Sequence, residues 1–383
     1  MTNNFEFKVL SFHVWIIFQF LTLLWADIPD ISTVKRVISL RQESLKNFVR
    51  INGRKGICSN ERYLLVTEFQ FGRSGNNLIE FTHSLWLANI LNATFSAPKW
   101  MQEVLFPFNS SVLDSHFCIS LNGDLPKSAT VYEITSEDSF FLFKLWNDKE
   151  YWREHKKLLP ILNKQTINDI SLHFLKVYAA LWSYPLHKIQ MAGEWIISNH
   201  LDNNFRYTSV HKRQMEGGCN KLLWEVSKAT DYSSNELPMN LPEWNSKAHP
   251  LCEMSLDFIL ETQNMHNRNG SKVFVSFDGR GDISAYRKHG VVFSDVMKKN
   301  NKHTNIEMKF VDMFIAIHGD FFILNPRSTF SWEIYLIRIC LGLESVPIVR
   351  NNDVYFRKVP DDLIASNRPL WASWTSVIDA FYE

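Results

Sequence analysis

Apolar and polar positions along this chain alternate, in two separate regions, with the rhythm of strand, polar loop, helix and strand. In the first region Arg62–Phe69 is β-branched and aromatic and predicts a strand. A Gly-containing turn, 72–75, leads into Leu78, Phe81, Leu85, Trp86 and Ile90, whose spacing of three and four is that of a helix with one buried face. Ala93–Ala97 predicts a second strand, closed by Pro98. Further on, Thr130–Ile134 and Tyr207–His211 predict strands, with helices at Asp148–Lys157 and Ile189–His200. Residues 220–270 are polar and loop-rich, with helices at Leu222–Lys228 and Met254–Asn264. The second region begins with a strand at Lys272–Phe277 and a turn at 278–282. Asn305–Phe310 predicts another strand, Val311–His318 a short helix and Phe321–Leu324 a strand. A loop at 325–329, a helix at Phe330–Cys340 and a strand at Val346–Val349 close it.

Units of this kind build doubly wound parallel sheets, and 383 residues exceed what one core usually holds. The expected class is α/β, with two Rossmann-like lobes facing a cleft. The expected boundaries are a leader at 1–26, a stem at 27–60, with an amphipathic helix around Ser32–Val49, an N-terminal lobe at 61–215 and a nucleotide-binding C-terminal lobe at 216–383.

The N-terminus has a different pattern. Val9–Ala26 is an 18-residue, mostly apolar stretch with no Asp, Glu, Lys or Arg, just long enough to span a bilayer. A transmembrane signal-anchor, a cleaved signal peptide and a buried helix all fit it; the acidic break at Asp27 and Asp30 speaks against the third. The first two readings place the body in the lumen of the endoplasmic reticulum or Golgi. Three N-glycosylation sequons, at Asn92, Asn109 and Asn269, then become usable. The five cysteines include no C-x-x-C pair, so zinc and thioredoxin chemistry have no signal. One or two disulfides are plausible, at least one thiol is left over, and Cys340, in an apolar run, is expected to be buried and inert. The net charge of +1, without a basic run, gives nucleic-acid binding no support.

Three loops at strand ends carry candidate chemistry. In Gly72-Arg73-Ser74-Gly75-Asn76-Asn77 the glycines let backbone approach a ligand, and the helix beyond offers free N–H groups to an anion. In His211-Lys212-Arg213 the arginine can fork onto a diphosphate, while Lys212 points to the opposite face of the strand. In Asn325-Pro326-Arg327-Ser328-Thr329-Phe330 the two hydroxyls can cap a helix or hold a phosphate. Each loop alone reads equally well as an ordinary turn, basic strand end or cap. A cleft between two lobes accounts for all three together.

The segment from Gly72 to Trp100 resembles the first motif of the GDP-fucose protein O-fucosyltransferases, Gly-Arg-x-Gly-Asn-Gln followed by helix, strand and Pro. His211-Lys212-Arg213 is similar to that family's His-x-Arg, Lys272–Asp278 to its later strand ending in Asp, and Asp312–Phe330 to its closing motif. Asn77 stands where Gln is usual, and Gln214–Cys219 matches no familiar continuation. The resemblance implies a GT-B fold, inversion at the anomeric carbon, GDP-fucose as donor substrate and no metal or other cofactor. It implies donor contacts from Gly72, Arg73, Gly75, Asn76, His211, Arg213, Asp278, Ser328, Thr329 and Phe330. Arg213 would hold the phosphates and Asn76 would place donor and acceptor. Glu216 is a candidate general base, since inversion removes one proton from the acceptor hydroxyl. The expected partners are a nucleotide sugar, a protein or glycan acceptor, and a membrane through residues 9–26.

Overall fold

The computed structural model describes residues 31–52, 58–59, 61–67, 74–105, 108, 113, 115–120, 125–136, 139, 170–213, 250–279, 281–297, 305–325, 328–346, 348–350 and 353–355. The apolar stretch 9–26 lies outside them. Among the described residues no helix is long and apolar enough to cross a membrane.

The first element corrects the expectation of a stem. Helix α1 (Ile31–Asn52) buries Val34, Ile38, Leu45 and Val49, which recur near the helical period and form one apolar stripe. Arg41 sits within that stripe. Its guanidinium donates to the His318 carbonyl and lies 4.8 Å from the centroid of the Phe205 ring. Gln42 Nε2 donates to Gln190 Oε1 at 3.0 Å. A segment with this much buried contact is part of the body.

The first sheet holds β1 (Arg62–Thr67), β2 (Thr94–Ser96), β3 (Ile119–Ser120) and β4 (Thr130–Thr135) in the order β3-β2-β1-β4, all parallel. A disulfide between Cys58 and Cys118 joins the segment before β1 to the start of β3. Helix α2 (Ser74–Ile90) connects β1 to β2, and α3 (Lys99–Leu105) follows β2. The sequence pattern predicts one buried face for α2, yet residues 77–88 are buried all round. The reason is packing from both sides: α2 lies on its own sheet and also against α4 (Ile170–Trp182) and, from the second lobe, α10 (Thr329–Cys340). Its polar side chains are accommodated locally, with His83 Nδ1 2.7 Å from the Ser139 carbonyl and Ser84 Oγ 2.7 Å from Ser139 Oγ.

The second sheet holds β5 (Tyr207–Lys212), β6 (Lys272–Phe277), β7 (Phe321–Ile323) and β8 (Glu344–Val346) in the order β6-β5-β7-β8, again all parallel. Because β5 pairs with β6 and β7, the lobe boundary expected at 215/216 falls inside this sheet's connectivity; the second lobe already includes residue 207. Helix α5 (His187–His200) precedes β5. Between β5 and β6 lie α6 (Pro250–Glu253) and α7 (Leu256–Met265), the latter capped by Ser255, whose side chain accepts from the Phe258 N–H at 3.2 Å. The short α8 (Ser284–Lys288) and a 3-10 turn at Ser294–Met297 follow β6.

One helix, α9 (Asn305–His318), replaces the strand and short helix expected over the same residues. Ile306, Met308 and Phe310 alternate with polar residues and so imitate a strand over a few positions. The continuous buried run from Phe310 to His318 reflects a helix enclosed by β6, α5 and α10. The approach of α5 is close: a Cβ on Gly193 would stand 2.2 Å from a ring carbon of Phe314. Helix α10 ends at Leu341 with Gly342 in the left-handed region at φ 64°, and the Leu343 N–H returns to the Arg338 carbonyl at 2.9 Å. The strand expected at Val346–Val349 is divided between β8 and β9 (Ile348–Arg350), which pairs antiparallel with β10 (Asp353–Tyr355).

Arg338 is fully buried near the end of α10. Its Nη1 donates to the carbonyls of Ala316, Ile317 and Gly319 at 3.1, 3.0 and 2.5 Å, closing the C-terminus of α9. Nε donates to Ser345 Oγ at 2.9 Å and Nη2 to the Glu344 carbonyl. Burial lowers this guanidinium to about 9, with the Arg41 charge acting the same way, so it still carries its charge at neutral pH.

Candidate functional site

In the second sheet the connections from β5 and β7 leave in opposite directions, toward β6 and β8 respectively. Open parallel sheets form a ligand crevice at such a reversal, beyond the strands' C-terminal ends. A cavity of about 610 Å³ lies there, a volume suited to a nucleotide-sized ligand. All its lining residues come from the second lobe, among them His211, Arg213, Asp278, Lys309, Asp312 and Phe330.

β5 delivers the first group. His211 is buried, its Nδ1 2.7 Å from Ser331 Oγ and its ring centroid 4.6 Å from that of Phe330. The Asn325 N–H donates to the same Ser331 oxygen at 3.1 Å, which leaves the Ser331 proton for His211 Nδ1. Burial, and then the charge of Arg213, push the imidazole down to about 3, so it is neutral at physiological pH. His211 therefore fixes the start of α10 rather than supplying charge. Lys212 points to the opposite face, as strand alternation requires: its ammonium donates to the Glu253 carbonyl and lies 5.3 Å from the Tyr286 ring centroid. Arg213 turns back to the cavity side, with Nη1 3.5 Å from Ser328 Oγ.

The first turn of α10 delivers the second group. Ser328 occupies the N-cap position, but its side chain makes no capping hydrogen bond. Its hydroxyl faces Arg213 instead. Thr329 and Phe330 line the cavity, and the first-turn N–H groups together with the helix dipole favour an anion there.

The third group comes from the end of β6 and from α9. Asp278 lines the cavity, with Gly279 beyond it at φ 85°. Ser276 Oγ donates to Asp312 Oδ2 at 3.0 Å, anchoring a carboxylate that is almost wholly buried on the cavity wall. Asp295, also on the wall, is ion-paired with Arg287. The sequence reading assigned no role to Asp312, Lys309, Ser276 or Asp295. A helical reading of 305–318 would have shown Lys309 and Asp312 one turn apart on one face.

The structure thus brings His211, Arg213, Asp278, Ser328, Thr329 and Phe330 to one place. Gly75 and Asn76 lie in the first turn of α2, in the other lobe. Gly72, Arg73 and Glu216 lie outside the described residues, as do Asn109, Cys219 and the helices expected at 148–157 and 222–228. Asn92 is exposed in a turn at φ 48°; Asn269 is exposed and donates to Asn264 Oδ1 at 2.7 Å. Cys340 is a free thiol whose Sγ donates to the Leu175 carbonyl at 3.6 Å, and burial raises it. Among the described residues no group of three or more His, Cys, Asp or Glu side chains is gathered as a metal site.

No protein-family model and no curated protein matches the chain. Similar solved structures include apo POFUT1, at 14% identity and a TM-score of 0.44, covering 75% of this chain and 97% of that one. POFUT1 in complex with GDP-fucose is similar at 14% identity and a TM-score of 0.43, with the same coverage of both chains. POFUT1 in complex with GDP is similar at 14% identity and a TM-score of 0.42, covering 75% of this chain and 98% of that one.

Proposed function

We propose that this chain is an inverting glycosyltransferase of the GT-B type that moves fucose from GDP-fucose to a hydroxyl of a luminal protein or glycan. One observation carries the reading: Arg213, on the wall of a nucleotide-sized cavity, meets Ser328 at a helix N-terminus across the strand-order reversal. Arg213 and the α10 N-terminus offset the charge that grows on the departing diphosphate. The acceptor oxygen bonds to the anomeric carbon as the bond from that carbon to the β-phosphate oxygen breaks. The bonding pair leaves with GDP. The acceptor proton passes to a carboxylate, for which Glu216 is the candidate. The motif resemblance implies that the reaction proceeds without a metal.

Within this proposal the base bound in the cavity is guanine. Its N1–H and N2–H₂ donors match the anchored Asp312 carboxylate, an acceptor that neither adenine nor a pyrimidine satisfies in the same way. The motif resemblance, not the cavity, selects fucose. The Cys58–Cys118 disulfide supports an oxidising compartment such as the endoplasmic reticulum or Golgi, with residues 9–26 as membrane anchor or signal.

The test is a thermal shift of the protein against GDP, UDP, CMP and ADP. A ligand at a hundred times its dissociation constant adds about 2.7 kcal/mol of stability. A shift with GDP alone supports the reading. A shift with UDP keeps the transferase and discards fucose, and no shift with any nucleotide removes the enzyme reading in favour of a silent binding protein.

A further inference from the structure

A second group of polar side chains gathers beside the first sheet, where α4 meets the approach to β3. None of its members lines the nucleotide cavity. His173 and Lys176 lie three residues apart in α4 and so share one face of the helix. That face meets Phe117, two residues before β3. The Lys176 ammonium stands over the Phe117 ring, 5.1 Å from its centroid. The His173 ring meets the same ring edge to face, with centroids 5.9 Å apart, and His116 lies against it at 6.5 Å. Phe117 is held in place on both sides. Its N–H donates to the Leu113 carbonyl at 2.8 Å, and its neighbour Cys118 is tied to Cys58 by the disulfide.

Lys176 is only 8% exposed. Among the described residues its ammonium has no hydrogen-bond acceptor and no carboxylate, and the Phe117 ring is its charge-stabilising contact. A ring face offsets only part of the cost of drying an ammonium. Burial accordingly lowers Lys176, with no acid opposing the shift. His173 is no substitute for an acid: it is neutral at physiological pH, and its Nε2 is buried without a hydrogen-bond partner. Two adjacent polar groups on one helix face therefore lack partners, one a cation and the other able to donate as the Nε2–H tautomer. An oxyanion completes both at once, with one oxygen on the ammonium and another on Nε2–H. His116 and His173 both keep partial exposure, so the group is open to solvent on their side.

We propose that Lys176 and His173 form an oxyanion-binding site, with Phe117 as its floor and His116 at its rim, separate from the nucleotide cavity. Its ligand is a phosphate or sulfate group, as the free ion or as a monoester. The inference is independent of the nucleotide reading, because no cavity residue takes part in it.

The experiment is thermal unfolding of the full chain in inorganic phosphate and in phenyl phosphate at low millimolar concentration, with sodium chloride holding the ionic strength constant. The variants are Lys176→Met, which keeps the buried stem and removes the charge, and Lys176→Arg, which keeps a cation. Either anion is expected to raise the midpoint of the wild type and of Lys176→Arg, and the anion with the larger effect identifies the source. Lys176→Met is expected to show no such rise and to melt at or above the wild type without anion, since an apolar tip needs no partner there. An equal rise in the wild type and Lys176→Met overturns the inference, and so does a wild type that responds to neither anion. A second reading needs no variant. At ten times its dissociation constant, the anion should slow acylation of Lys176 by an amine-reactive ester about tenfold, because only about that fraction of sites is free. Mass spectrometry reads the modified residue, and an unchanged rate overturns the inference.

Discussion

His211 Nδ1 lies 2.7 Å from Ser331 Oγ, joining the C-terminal end of β5 to the first turn of α10 across the strand-order reversal. The histidine is buried, and its neutral form is the one that accepts from serine. Its folded value of about 3 lies below the ordinary value near 6.5. His173 is likewise depressed to about 3 by burial, with the Lys176 charge adding to it, and His318 is depressed well below normal by burial. Groups of this kind bind protons more readily in the unfolded chain. Their contribution is complete above about pH 6.5 and is lost as pH falls toward 3, by up to about 1.4 kcal/mol per pH unit for each. Urea denaturation at pH 7.5 and pH 5.0 should show a marked loss of stability at the lower pH. His211→Gln should reduce that loss.

Arg213→Ala should lower transfer by at least about a hundredfold, the scale of removing one donor that stabilises transition-state charge. Arg213→Lys should recover little of it, because a point charge does not fork onto two phosphate oxygens. Turnover with GDP-fucose and a luminal acceptor fraction checks both, and near-normal activity in the alanine variant would remove Arg213 from the mechanism.

Asp312→Asn keeps the size of the side chain and removes the second acceptor oxygen. GDP and guanosine should both bind about tenfold to a hundredfold more weakly. Preference for GDP over ADP should shrink in the same measurement. Retained guanine preference would place base recognition elsewhere.

Arg338→Met should destabilise the fold by about 3–5 kcal/mol. It strips donors from buried carbonyls at the end of α9 and leaves them without partners. Chemical denaturation should show a lower midpoint with an unchanged slope.

Much of the parallel α/β plan was legible in sequence because its strands are short, β-branched and ended by Gly, Pro or polar loops. Lys272–Phe277 and the helix at Ile189–His200 emerge almost as their patterns require. The pattern failed at α9, where a helix enclosed on several sides loses its amphipathic period and three alternating residues imitate a strand. It failed again at α1, whose many charges suggest a solvated stem, while four apolar residues and one half-buried arginine are enough to seat it. The phosphate end of the site was readable because Arg213, Ser328 and Thr329 stand at strand ends. The opposite wall was not, because Asp312 and Lys309 gain meaning only from a helix the pattern concealed.

Arg338 and the cavity stand at opposite ends of α10. From residue 338 to residue 329 the helix rises about 14 Å. The buried guanidinium joins α10 to the end of α9, and both helices carry cavity residues near their other ends. The pair therefore behaves as a set of tongs with its rivet at Arg338: a rotation of about 5° at the rivet would sweep Thr329 through about 1 Å, a misplacement large enough to cost a reaction about a hundredfold. Precision at the tips of the tongs is set by a residue that touches nothing they hold.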